Sequence, residues 1–332
     1  STSKVAIFAA IMQESKGKDI TGSTKGTTDN HALGFIAAIV SSATFGLIPL
    51  FTIPVMKAGM TFQSILTYRF SFSAILLLPV ILASPQRRKA LRITWKQAIE
   101  IAVLAMLYFL TAAFLFDSYK YMPSGKSTTL LFMYPVYTAI IMVLFFHEKF
   151  SWKTAAAIVL AVAGVAFLSA VKGTGQNQHT AALGLILILA AGLIYAVYLV
   201  AIPQTEAGRI DSLALTFYVL LFGFIYLIIS TSLRAPGLQP IQDWKSGINL
   251  LLLALVPTLI SNLTLVVAVK TVGSTPTSIL GAFEPLTAVC VGTLVLGEPF
   301  SWLDALGIGL IISAVIILLL QKKSQKQVEK VA

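Results

Sequence analysis

Charge is what this chain most lacks. Only 11% of its 332 residues are charged, against about a quarter in water-soluble domains, and that shortfall excludes an ordinary soluble enzyme. A disordered chain is excluded from the other side, because 57% of the residues are hydrophobic and disorder requires low hydrophobicity. Cysteine is nearly missing: Cys290 stands alone, so there is no internal disulfide and no multi-cysteine zinc or iron–sulfur centre. His31, His147 and His179 are too far apart for metal-ligand spacing, and no cofactor is expected. There is also no Walker A loop, no His-Glu-x-x-His and no Gly-x-Ser-x-Gly, which argues against an ATP-driven pump and against an embedded hydrolase. The protein is not expected to be an enzyme.

What is present is apolar length. A helix needs roughly 17–25 apolar residues to cross a hydrocarbon core, and ten such runs follow one another: Gly34–Met56, Phe62–Leu82, Ala98–Phe116, Ser127–Phe146, Ala155–Val171, Ala181–Ile202, Ser212–Ser230, Ile248–Val269, Thr277–Leu296 and Ala305–Leu320. They are continuous rather than alternating, which argues against a β-barrel. The expected fold is therefore an all-α integral membrane protein of ten transmembrane helices. Residues 1–30 read as a polar cytosolic tail with one short apolar patch, Val5–Met12, and residues 322–332 as a basic cytosolic tail.

The net charge of +11 would suggest nucleic acid in a soluble protein. Here the basic residues sit in loops and tails. With the amino terminus on the cytosolic side, 17 lysines and arginines fall inside and 6 outside, with Arg69 within a span. The positive-inside rule then places both termini in the cytosol, and no nucleic-acid partner is expected.

An internal repeat has a spacing of 150 residues. Glu148-Lys149-Phe150-Ser151-Trp152 returns as Glu298-Pro299-Phe300-Ser301-Trp302; Pro135 matches Pro285, Lys120 matches Lys270, Ser124 matches Ser274, and Ala32-Leu33-Gly34 matches Ala182-Leu183-Gly184. The units are residues 31–172 and 181–321, with five spans each. An odd number forces the second unit to enter the membrane from the opposite side, a construction typical of secondary transporters. A proline within a span, followed by Glu148 or by Gly297-Glu298, then Phe-Ser-Trp and a small-residue helix, resembles the drug/metabolite transporter superfamily, and within it the EamA-type bacterial transporters. Position 147 is His where that pattern more often has glycine, and Ala314 stands where the first unit has Gly164. The resemblance implies a bacterial inner-membrane carrier of small metabolites, with export among the family's activities.

Ionisable residues inside a membrane cost about 2.5–3.5 kcal/mol at a helix centre and are functional candidates by default. Glu284 lies in mid-span just before Pro285, and its repeat mate Tyr134 lies just before Pro135. The two are expected to face each other at mid-depth, where a carboxylate can bind a cationic amine or carry a proton. Arg69 can hold a substrate carboxylate or act as counter-ion to Glu284 or Asp117. Tyr137 follows Tyr134 by about one turn, and Asn262 needs a hydrogen-bond partner. These five residues form the expected substrate site for a small amphoteric solute such as an amino acid or amine, with Glu284 also the candidate for proton coupling. Asp117, Lys120 and Lys126 read as a helix-end cluster in which the lysines reach for headgroups, and Glu148 and Glu298 as interfacial caps or gate contacts. Small residues recur in the fifth span (Ala157, Ala161) and the tenth (Ala305, Gly309, Ser313). They leave open whether those helices pack together or make a homodimer. The alternative function is a passive channel. Apart from substrate, the partners expected are membrane lipids.

Overall fold

The computed structural model describes residues 26–83, 85–146, 151–170, 178–233, 237–272, 277 and 280–331. The Val5–Met12 patch, Glu148, Lys172 and Ser274 lie outside the described residues. Every described element is helical. In chain order they are α1 (Gly26–Phe45), α2 (Ile48–Lys57), α3 (Phe62–Leu82), α4 (Pro85–Ala90), α5 (Trp95–Ser118), α6 (Ser124–Leu131), α7 (Tyr134–Phe146), α8 (Trp152–Ala170), α9 (Gln178–Ala201), α10 (Ser212–Ser232), α11 (Trp244–Ala254), a π-helical turn (Leu255–Ile260), α12 (Ser261–Val272), α13 (Phe283–Leu294) and α14 (Trp302–Val331).

Helix starts are set by short polar side chains. Thr94 and Gln97 form a reciprocal capping box at the head of α5, while Asp211 and Asp243 accept from the first free N–H groups of α10 and α11. Each cap satisfies donors that the helix itself cannot. Seven helical stretches are long and apolar enough to span a bilayer, and three apolar helices, Trp152–Leu168, Phe283–Leu294 and Trp302–Ile317, are shorter. Several of the ten expected spans are not single helices. The first run breaks at Gly46–Leu47, the fourth at Phe132–Met133 and the ninth at Gly281–Ala282. The last two breaks fall at nearly equivalent repeat positions, each just ahead of a proline. Pro135 and Pro285 therefore sit in the first turn of α7 and α13, where a missing N–H costs little.

The packing follows the repeat. α8 lies on α14 and α3 on α10, each pair joining equivalent elements of the two units, and α6 of the first unit lies on α13 of the second. The remaining principal pairings come in matched sets: α1 on α12 corresponds to α9 on α5, and α3 on α11 to α10 on α5. Exchanging the units thus reproduces the pattern of contacts. Between α8 and α14 the backbones approach closely, for a Cβ on Gly164 would lie 2.7 Å from Ile311 and 2.8 Å from the Gly307 carbonyl. The small residues of α8 expected to pack do so, with Ala157 and Ala161 fully buried. In α14 the packing face is a different one: Gly307 and Ile311 meet α8, while Ala305, Gly309 and Ser313 are exposed.

Candidate functional site

The breaks in the fourth and ninth runs are what bring Tyr134 and Glu284 into the interior. Each lies in the first turn of a half-helix, α7 or α13, and both line one cavity of about 190 Å³ between the two units. Arg69 from α3, Tyr108 from α5, Tyr195 from α9 and Asn262 from α12 line it as well. Close approach of α1 matters here. A Cβ on Gly46 would run into the Glu284 backbone carbonyl and lie 2.8 Å from the Thr287 side chain, so the absence of a side chain at the α1–α2 break admits the Glu284 turn.

Two of the cavity's features are electrostatic. The Glu284 backbone N–H donates to the Gly281 carbonyl at 3.0 Å, but its carboxylate makes no hydrogen bond or ion pair among the described residues. Arg69 is 2% exposed. Its Nε donates to the Thr258 hydroxyl at 3.1 Å, and its guanidinium carbon lies 5.7 Å from the centre of the Phe116 ring. No carboxylate pairs with it among the described residues. Of the counter-ions considered above, Asp117 is taken by Lys120 at 2.8 Å, and Glu284 does not reach it. Among the described residues the Nη groups of Arg69 have no partner, and a guanidinium and a carboxyl group line the same cavity without an ion pair.

Aromatic rings complete the wall. Tyr134 meets Tyr195 edge to face at 4.9 Å, Tyr195 stacks on Tyr198 at 5.8 Å, and Tyr198 lies 5.6 Å from Tyr108. Such packed rings lose little freedom on meeting a ligand and present flat apolar faces. Asn262 lines the cavity with its amide donating to the Thr258 carbonyl at 2.6 Å, so its partner is the preceding turn of its own helix. Tyr137 is the exception among the expected site residues. It does not line the cavity; its ring packs toward α9 at Gly192, where a Cβ would lie 3.2 Å from it. A residue three places on is rotated about 60° round a helix, enough to turn it out of the site. Thr258 and Ser41 were not expected. Ser41 exchanges hydrogen bonds with Ser261, donating to its carbonyl at 2.8 Å and accepting into its own at 2.9 Å. The proline before Thr258 was the available signal.

One end of the interface between the units is fastened by charge. Glu298 accepts from the Ser124 N–H at 2.7 Å, the Ser124 hydroxyl at 2.6 Å and the Gly125 N–H at 3.1 Å, so a carboxylate of the second unit caps α6 of the first. Lys126 is not at a headgroup. It is buried and pairs with the equally buried Asp304 of α14 at 2.7 Å, because α6 is enclosed by α13, α9 and α14 and offers no route to the surface. Lys120 does behave as a helix-end charge, lying 4.5 Å above the Phe62 ring.

The sequence profile of one transporter family matches this chain twice, over residues 32–170 and again over 182–320. These are the two units whose half-helices carry Tyr134 and Glu284. The chain belongs to the EamA-like transporter family. Within the drug/metabolite transporter superfamily it is similar to the uncharacterized transporter YetK of Bacillus subtilis (strain 168), 25% identical over 296 residues that cover 87% of this chain and 85% of that one. It is similar also to the uncharacterized transporter YvbV of the same organism, 25% identical over 280 residues covering 82% and 88%. A solved crystal structure superposes with a TM-score of 0.62 at 17% identity, covering 90% of this chain and 99% of that one, a likeness of fold alone. This EamA-like protein is accordingly a multi-pass membrane protein of a transporter family.

Proposed function

We propose that this EamA-like transporter is a secondary carrier that moves a small amphoteric metabolite, of the amino acid or amine class, by alternating access. All ten apolar segments cross the membrane in this reading, the three shorter ones included, and the two units lie inverted to each other. The single observation that carries the proposal is that one aromatic-walled cavity between the units is lined by a carboxyl group, Glu284, and a guanidinium, Arg69, neither of them in an ion pair among the described residues. Buried charges without partners are expensive, and a ligand bearing both an ammonium and a carboxylate supplies both missing partners. Substrate sites at the interface of two repeats, built from broken helices, are the arrangement found in secondary transporters.

The excess of lysine and arginine on one side supports cytosolic termini, and the bacterial relatives support a bacterial cell membrane. Export is the assigned direction, in line with metabolite exporters of the superfamily. The test is counterflow in proteoliposomes. Saturable exchange of a labelled amino acid or amine supports a carrier, whereas conductance that rises without saturation identifies a channel instead.

A further inference from the structure

The π-helical turn Leu255–Ile260 contains a local arrangement that the substrate reading leaves unused. Pro257 has no N–H, so the carbonyl of Leu253, four residues back, loses its ordinary donor. Thr258 reaches that carbonyl instead: its hydroxyl donates to Leu253 at 3.2 Å, a reach of five residues. Thr67, Thr111 and Thr264, in regular helix, donate to carbonyls four residues back, the usual habit of a helical threonine. The widened turn rotates the Thr258 hydroxyl toward α3. With its proton committed to Leu253, its oxygen can only accept, and the donor it accepts from is Arg69 Nε at 3.1 Å. Two further bonds hold the same turn. Ser73 of α3 donates to the Ala254 carbonyl at 3.4 Å, and Asn262 donates to the Thr258 carbonyl at 2.6 Å.

From this geometry we infer that Thr258 is a positioning residue which orients the Arg69 fork so that its Nη edge meets the carboxylate of the transported solute. Phe116 covers one face of the guanidinium and Thr258 occupies its Nε edge, so what remains for a ligand is the edge best suited to a planar anion. π-Helical turns recur at functional positions, and this one acts by placing a single acceptor. Thr258 is 2% exposed and is not among the residues that line the main cavity; it works through Arg69. The inference rests on the substrate reading above and adds the group that sets preference for an acid over its decarboxylated analogue.

The experiment compares wild type with Thr258→Val, Thr258→Ser and Arg69→Gln, all as full-length purified protein. The probes are phenylalanine and phenethylamine, the same ring with and without a carboxylate. Binding is measured by calorimetry, and melting temperature is recorded without ligand. Thr258→Val is expected to weaken phenylalanine about tenfold while phenethylamine stays within about twofold, the scale of one lost charge-assisted hydrogen bond. Thr258→Ser, which keeps the hydroxyl, is expected to bind both as wild type does. Unchanged phenylalanine binding in Thr258→Val, with loss in Arg69→Gln, overturns the inference and leaves the proposed function standing. Equal weakening of both probes in Thr258→Val also overturns it, because the hydroxyl then only holds the helix. Arg69→Gln without effect on phenylalanine, or wild type that binds neither probe, removes the substrate reading beneath it.

Discussion

At the scale of single residues, Glu284 has the sharpest consequence. Its carboxylate lies in the first turn of α13 with no protein partner among the described residues, and Gly46 leaves room for its turn. Glu284→Gln keeps the shape and removes the charge. In the proposed mechanism this variant loses about tenfold or more in transport of a cationic amine, the scale of a charge-assisted contact. If the carboxylate also carries the proton, transport by the variant no longer varies with pH. Counterflow measured across pH checks both points, with the melting temperature as the control for folding. A variant that transports as wild type does at every pH would remove Glu284 from the mechanism.

Among elements, the α8–α14 contact is the most demanding. Gly164 and Gly307 let the two backbones nearly touch, and a side chain on Gly164 has Ile311 and the Gly307 carbonyl in its way. Overpacking of this kind costs about 1–3 kcal/mol. Gly164→Val is therefore expected to lower the melting temperature in detergent by several degrees. Gly309 is the matched control: it lies on α14, the partner helix, a Cβ there meets nothing within 4 Å, and Gly309→Val is expected to melt as wild type does. Equal losses in the two would mean that the α8–α14 contact does not govern the result, since valine is the better helix former of the two residues. The breaks before Pro135 and Pro285 belong to this scale too. By ending one helix and starting another in the interior, they put the first turns of α7 and α13, with Tyr134 and Glu284, at the wall of the cavity.

Considered whole, the molecule is fastened at one end of its inter-unit interface and hollow at its middle. The Glu298 cap on α6 and the buried Lys126–Asp304 pair both join the first unit to the second. Alternating access requires that this end open, and so requires both contacts to break in the course of a cycle. Breaking a buried pair exposes charges that water must solvate, which keeps the closed form favoured until other interactions compensate. Cysteines placed at positions 124 and 298, in a background where the exposed Cys290 is replaced by serine, give a direct test. A short thiol-reactive crosslinker is expected to stop counterflow in the double variant, and either single variant is expected to be unaffected. Undiminished turnover by fully crosslinked protein would show that this end need not open.

Membrane residence, the two-unit organisation and the family were legible in the residue string because each depends on local or periodic information. Hydropathy is a property of contiguous residues, and the 150-residue spacing of Pro135 with Pro285 is visible without any coordinates. The α3 boundaries, Phe62–Leu82, agree with the apolar run end for end. Intramembrane cost singled out Glu284 and Arg69 in the same way, since an ionisable group in an apolar run stands out from its neighbours alone. Other features belonged to tertiary structure only. Lys126 and Asp304 are far apart in the chain, and no periodicity predicts that they pair; α6 had first to be enclosed. Which face of α14 packs was decided by the closeness of α8, not by the recurrence of small residues, and Tyr137 was turned out of the site by rotation about its helix. Thr258 looked like any helical threonine until Pro257 opened a π-turn against an arginine 189 positions earlier. Sequence determines what must be buried in lipid or shielded from it, because that cost is settled residue by residue. Which buried groups meet is settled only when helices distant along the chain are packed side by side.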